Sequence, residues 1–175
     1  MTPHSTDPAP KSLILPETPG APIACDMTGA ADTADERLAE YGRLFAQALI
    51  GRDRTADAVE FAFAPKAGVA EWVADLAQRE ARCCPFLSYR VAVHADRVVY
   101  TIVWPPSSDG GAATQPILDE IYAMPERLGD GMAGLLDRLA GHGLAVAAPV
   151  PGRFAFEAPV SAPTVLERIK AACGC

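Results

Sequence analysis

The adjacent cysteines Cys83 and Cys84 are the residues of this 175-residue chain whose types and spacing best suit chemistry. Two neighbouring cysteines do not readily bond to each other, because the eight-membered ring this requires strains the peptide between them. Both sulfurs can instead hold a third group. Soft cations such as Hg(II), Cu(I) and Zn(II), and trivalent arsenicals, prefer thiolate ligands. The alternative is that one of the two cysteines packs as a small apolar residue.

Three further cysteines could contribute to a thiol site with this pair. Cys25 lies where the N-terminal segment enters the fold, and a third sulfur there would complete a trigonal thiolate site. Cys173 and Cys175 flank a glycine at the C-terminus, so they form a mobile dithiol that can exchange ligands with another site, unless the tail is accidental. In a reducing cytosol such cysteines are more often core residues, metal ligands or redox thiols than structural crosslinks.

Glu80 lies one helical turn before the cysteine pair and on roughly the same face. It can serve as a hard metal ligand, as a general acid or base for a thiol, or as the ion-pair partner of a neighbouring arginine, which is the favoured interpretation. The sequence has no HxH, HExxH or paired CxxC pattern, so a standard structural or hydrolytic zinc site has little support. Without a phosphate loop or dinucleotide fingerprint, no organic cofactor is predicted.

The elements that must position these residues belong to an α+β fold, with helices packed on a mainly antiparallel sheet. Thr33 and Glu36 form a capping-box pattern, and the apolar periodicity that follows predicts a helix ending at Gly51. A second helix, from about residue 68 to 82, must end before Pro85. The other predicted elements are strands at 59–63, 86–93, 98–104, 144–148 and 153–157, and helices near 117–123, 131–140 and 163–172.

An internal similarity suggests two degenerate αβα repeats. Phe61-Ala62-Phe63, a proline and a helix closing on Cys83-Cys84 are echoed by Phe154-Ala155-Phe156, a proline and a helix closing on the terminal dithiol. Alanine-rich sequence makes chance matches of this kind common.

Composition narrows the classes of partner. The formal charge of −7 leaves no basic excess to attract nucleic acid or anionic lipid. No apolar run reaches the roughly 20 residues of a membrane-spanning helix, and the N-terminus has no secretory signal. We therefore expect a cytoplasmic protein with neither nucleic-acid nor membrane partners, and a homodimer is one option for its assembly.

The segment around Cys25, the strand at 59–63 and the run EARCCPFL at 80–87 before a β-hairpin resemble a small bacterial domain with a CCPF signature. That domain occurs alone or as the tail of mercury-resistance-type, MerR-like regulators that respond to metals. The resemblance covers about residues 21–105. It implies a thiol site of Cys25, Cys83 and Cys84, with Glu80 as a further candidate, that senses, holds or transforms a heavy metal or metalloid. No DNA-binding helix-turn-helix segment is recognisable, so the regulator function is not transferred.

We therefore divide the chain into a proline-rich arm at 1–22, a CCPF-type domain at 23–105 and a C-terminal αββα extension at 106–175 that ends in the mobile dithiol. The predicted function is capture of a soft ion, Hg(II) first and As, Cu or Zn after it, for detoxification, transfer or organometal processing. In a bond-cleaving version Cys83 and Cys84 hold the metal while Glu80 protonates carbon. The alternatives are a thiol redox enzyme and a partner-binding module whose cysteines are structural.

Overall fold

A computed structural model describes residues 11–106 and 111–157 of the protein. The fold is α+β, as the sequence predicted, and its sheets are antiparallel. The elements are β1 (Lys11–Leu15), β2 (Ala24–Asp26), α1 (Ala34–Ala48), β3 (Leu49–Arg54), β4 (Ala58–Phe63), α2 (Val69–Cys83), β5 (Ser88–Val93), β6 (Val98–Val103), α3 (Thr114–Arg127), α4 (Gly131–Gly141), β7 (Ala145–Val150) and β8 (Arg153–Glu157). Two short 3₁₀ turns, Gly111–Ala113 and Leu128–Asp130, precede α3 and α4.

The main sheet has five strands in the order β1-β5-β6-β4-β3. Its register aligns Val59, Ile102 and Tyr89 across three neighbouring strands, and these side chains are buried on one face. Side chains alternate between the two faces of a strand, so Glu60 lies on the opposite face and is exposed. The helices therefore cover a single face of this sheet, and the core lies between the two layers.

Helix α1 begins as the sequence predicted. The Thr33 side chain accepts a hydrogen bond from the Glu36 backbone N–H, and the Glu36 carboxylate accepts one from the Thr33 backbone N–H. The predicted end at Gly51 was wrong, because the helix stops at Ala48 and β3 follows at once. Leu49 adopts an extended conformation, φ −61° and ψ 127°, and pairs with Phe63 of β4. Strand pairing thus overrides the helical periodicity that continues through Leu49.

Helix α2 presents the cysteine pair at its C-terminus. Its last residue is Cys83, and the backbone N–H of Cys84 still bonds to the Glu80 carbonyl at 2.7 Å. Cys84 itself leaves helical geometry, with φ −123° and ψ 68°, because Pro85 follows it. The two cysteines therefore have different backbone conformations, although their sulfurs lie 3.5 Å apart.

The N-terminal and C-terminal parts meet in a second sheet of three strands in the order β2-β8-β7. Within the predicted arm, residues 11–15 form the edge strand β1 of the main sheet. The second predicted repeat is only partly described. Its strand is β8, and its helix, near 163–172, lies outside the described residues, so the duplication stays a prediction.

No helix in the two described segments is both long enough and apolar enough to cross a membrane.

Candidate thiol site

Three sulfur atoms converge where the C-terminus of α2 meets β2. The Sγ atoms of Cys25, Cys83 and Cys84 all lie within 4.8 Å of one another. Cys83 and Cys84 are buried, with 5% and 6% of their surface exposed, while Cys25 is half-buried. Cys25 is held there by β2, where it pairs with Phe154 of β8. The sequence predicted this group of three.

Two of the three sulfurs are bonded to each other. Cys25 and Cys84 form a disulfide that joins residues 59 positions apart, and Cys83 remains a buried thiol. The sequence analysis expected thiols rather than a structural crosslink. This expectation was wrong for Cys25 and Cys84. The reason lies in tertiary contact, because β2 packs against α2 and so brings Cys25 to Cys84, to which no sequence spacing connects it.

The Cys83 thiol lies 3.5 Å from the Cys84 sulfur. Burial raises the pKa of Cys83 to about 12, and the negative charge of Glu80 adds to this effect. Arg37 and a backbone hydrogen bond of Asp26 lower the pKa by smaller amounts. Cys83 is therefore protonated at neutral pH in this state, and any electrophile that binds it must displace the proton.

Glu80 is an ion-pair partner of an arginine, which the sequence analysis favoured among its three alternatives. The guanidinium of Arg37 donates to Glu80 Oε1 at 2.9 Å and holds both oxygens of Asp32 at 2.6 and 2.7 Å. Arg37 is almost fully buried, at 4% exposure. Burial raises the pKa of Glu80 although Arg37 opposes the shift, whereas hydrogen bonding to Arg37 lowers the pKa of Asp32.

A second arginine extends this network along α1 and α2. Arg79 donates to Asp32 at 2.9 Å and to Glu40 at 2.8 Å, and the indole N–H of Trp72 donates to the same Glu40 oxygen at 2.8 Å. Ion pairs of this kind fix α1 against α2. Through Arg37, the same network holds the carboxylate of Glu80.

Three buried tyrosines border the same region. The Tyr41 and Tyr100 hydroxyls are 3.3 Å apart, and the Tyr89 hydroxyl donates to the Cys84 carbonyl at 3.3 Å. Burial raises the pKa of all three well above the ordinary range, and the charge of Glu80 acts in the same direction. The tyrosines are therefore neutral and serve as hydrogen-bonding groups.

A cavity of about 160 Å³ opens beside the sulfurs, and Cys25, Cys83 and Cys84 all lie in its wall. Most of its other lining is apolar. Opposite the thiols, the buried carboxylate of Glu120 in α3 accepts hydrogen bonds from Arg127 at 2.6 Å and from Arg138 at 2.8 Å.

The sequence analysis found Cys25, Cys83, Cys84 and Glu80, and the structure brings them together. Cys173 and Cys175 lie outside the described residues. Arg37 was missed, although its position four residues before Tyr41 places it on the buried face of α1. The sequence contains no comparable signal for Glu120 or for the cavity, because α3 and α4 come close to the thiols only in the tertiary structure.

With the disulfide reduced, three thiolates could surround one soft ion. A trigonal site with metal–sulfur bonds of about 2.3 Å places its sulfurs about 4 Å apart. In the disulfide form the Cys83 and Cys84 sulfurs are 3.5 Å apart, and the bonded sulfurs of Cys25 and Cys84 must separate to reach the trigonal spacing. The cysteine cluster is therefore compatible with a metal, and the disulfide form offers only Cys83 as a thiol.

The chain matches no protein-family model, no curated protein and no solved structure.

Proposed function

We propose that the reduced protein binds one soft heavy-metal or metalloid ion through Cys25, Cys83 and Cys84, with Hg(II) as the foremost candidate. The observation that carries this proposal is the placement of three sulfurs within 4.8 Å of one another in a buried wall. Its biological use would be detoxification, transfer to another thiol carrier, or organometal processing.

The donor set favours a soft ion. Sulfur ligands select Hg(II), Cu(I) and trivalent arsenic over hard cations. Zn(II) is a weaker candidate because its structural sites use four ligands. The carboxylate of Glu80, which lines the same cavity, is engaged by Arg37 at 2.9 Å. The high pKa of Cys83 also favours a soft ion, since only an ion with strong affinity for sulfur readily displaces the thiol proton.

The Cys25–Cys84 disulfide makes binding dependent on reduction. A dithiol reductant that transfers two electrons becomes a disulfide itself and leaves two thiols on the protein. The bound ion then displaces the thiol protons. In the oxidised protein Cys83 is the one thiol left in this cluster, and one buried thiol is a weak site. Cys173 and Cys175 are proposed to deliver or remove the ion.

The test is native mass spectrometry of the protein with one equivalent of Hg(II), in the presence of excess dithiothreitol or after oxidation. Reduced protein should retain one Hg(II) against the competitor, and protein oxidised to the Cys25–Cys84 disulfide should retain less, because only Cys83 of the cluster is then a thiol. Cys25→Ser and Cys83→Ser should each weaken retention, whereas Ser12→Ala, far along the chain on β1, should not. Retention no better than by the urea-unfolded chain, which exposes the same thiols, would refute the proposal.

The disulfide also favours a second candidate, a thiol redox enzyme. In this scheme Cys84 attacks a substrate disulfide and releases one thiol, and Cys25 then displaces the second thiol to form Cys25–Cys84. The terminal dithiol would reduce the enzyme again. Burial of Cys84 at 6% exposure disfavours attack on a large substrate. Turnover of a small disulfide or a peroxide without retention of Hg(II) would establish this candidate instead.

A further inference from the structure

The cavity beside the thiols is larger than a metal ion requires. Its volume is about 160 Å³, and helices α1, α2, α3 and α4 all contribute to its wall. An engineered apolar cavity of about 150 Å³ accommodates benzene. The space next to the sulfurs is therefore sufficient for a ring of six carbons.

The lining of this cavity is chiefly apolar. Side chains that line it away from the sulfurs include Met27, Leu38, Ile117, Ile121, Met124 and Leu135. Water in such a space has few polar partners, and genuinely apolar cavities stay dry. A hydrated ion is a poor occupant for the same reason, whereas an apolar group gains free energy by leaving water.

The charged side chains of the lining already have ion-pair partners. Arg37 pairs with Glu80 and Asp32, and Glu120 pairs with Arg127 and Arg138. An occupant with a net charge would therefore lack a counter-charge. An organomercury cation bound to one thiolate is neutral, and a mono-organic trivalent arsenic bound to two thiolates is neutral as well.

We propose that the substrate is a soft metal or metalloid that carries one apolar organic group about the size of a phenyl ring. The sulfurs hold the metal and the cavity holds the organic group, an assignment that rests on the metal-binding function proposed above. Binding is a ligand exchange: the protein thiol loses its proton, sulfur bonds to the metal, and the previous ligand of the metal leaves with the proton. The metal–carbon bond stays intact in this step.

The test compares phenylmercuric acetate with Hg(II) on the reduced protein, in competition with dithiothreitol, and uses the urea-unfolded chain as the baseline. Burial of an aromatic ring corresponds to about tenfold to a hundredfold tighter binding. The ratio of the affinity for phenylmercury to the affinity for Hg(II) should therefore be at least about tenfold higher for the folded protein than for the unfolded chain. Phenylarsine oxide against arsenite, measured in the same way, decides whether the centre is mercury or arsenic.

A variant that fills the cavity tests whether this space holds the organic group, and the same substitution at an exposed position is its control. Ala34→Leu adds three carbons to the wall from the first turn of α1, and Ala39→Leu makes the same change at an exposed position of that helix. Ala34→Leu should abolish the preference for phenylmercury without changing Hg(II) retention, and Ala39→Leu should change neither. If Ala34→Leu fails to fold by circular dichroism, Leu38→Phe fills the cavity from the next turn.

Failure of this inference and failure of the proposed metal-binding function give different results. Tight Hg(II) binding with no preference for either phenyl compound over its inorganic counterpart, or a preference that survives in the filled cavity, would overturn this inference and leave the metal site intact. Loss of both Hg(II) and phenylmercury to the competitor, at the level of the unfolded chain, would overturn the metal-binding function itself.

Discussion

Among individual residues, Cys83 behaves very differently from a cysteine in water. Helix α2 buries it beside Glu80, and both burial and that negative charge disfavour its thiolate form. Its neighbour Cys84 is one residue away yet bonded to Cys25. Adjacent cysteines therefore have separate roles, one as an inert thiol in the oxidised state and one as part of a reducible bond.

We expect Cys83 of the native, oxidised protein to resist iodoacetamide at pH 8. Its pKa of about 12 makes its thiolate fraction lower than that of a cysteine in water by a factor on the order of a thousand. Mass spectrometry of peptides should show at least about a hundredfold slower alkylation at Cys83 than in urea. Glu80→Gln should raise the rate, and Glu60→Gln, on the exposed face of β4, should not. Equal rates in native and unfolded protein would contradict the burial of this thiol.

Among the elements, α1 and α2 meet through charged groups as well as through the core. Arg37 and Arg79 share Asp32, whose side chain is 19% exposed, and these contacts set the positions of Glu80 and the thiols. Partly buried ion pairs with several hydrogen bonds contribute more than surface pairs. The network is therefore expected to affect both stability and the geometry of the site.

Asp32→Asn should destabilise the protein at pH 7 by about 1–3 kcal/mol, because a carboxylate that accepts charged hydrogen bonds is lost. The folded-state pKa of Asp32 is lower than its unfolded value of about 4. The carboxylate thus contributes its full stability above the unfolded pKa, and this contribution disappears as the pH falls through the folded pKa. Urea unfolding of wild type and variant at pH 7, 5 and 2.5 should show the difference shrink at the lowest pH.

The matched control is Asp119→Asn, which removes an exposed carboxylate that pairs with Arg54 at 3.2 Å. It should cost no more than about 1 kcal/mol at any pH. If Asp32→Asn cost the same at pH 2.5 as at pH 7, its effect would be steric rather than electrostatic.

Across the whole molecule, the thiol site joins parts of the chain that are distant in sequence. The disulfide ties β2 to the end of α2, and β2 in turn pairs with β8 near the end of the described chain. The cavity needs α3 and α4 to close it. The site therefore exists only when both sheets and all four described helices are assembled.

Reduction of the disulfide should lower the free energy of unfolding by about 3–4 kcal/mol, the cost expected for releasing a loop that spans 59 positions. Cys25→Ser and Cys84→Ser should lose a similar amount under oxidising conditions, whereas Cys83→Ser should lose less because no crosslink is broken. Urea unfolding followed by tryptophan fluorescence measures these differences. The reduced protein should remain folded. Complete unfolding on reduction would contradict a metal site built from three thiols.

The sequence by itself determined the local elements and the residues of the thiol group. Thr33 and Glu36 fixed the start of α1, Pro85 fixed the end of α2, and alternation of Val59, Phe61 and Phe63 identified a buried strand, because these signals depend on neighbours a few residues away. The sequence also named Cys25, Cys83 and Cys84 as candidates for one group, but it did not establish that Cys25 approaches the other two, and the structure brings the three sulfurs together.

Only the tertiary structure decided how these residues are used. It bonded Cys25 to Cys84, ended α1 at Ala48 because β3 pairs with β4, and buried Arg37 against Glu80. It also created the apolar cavity. Each of these features depends on contacts between segments that lie far apart in the chain, and such contacts are set by packing rather than by periodicity or spacing.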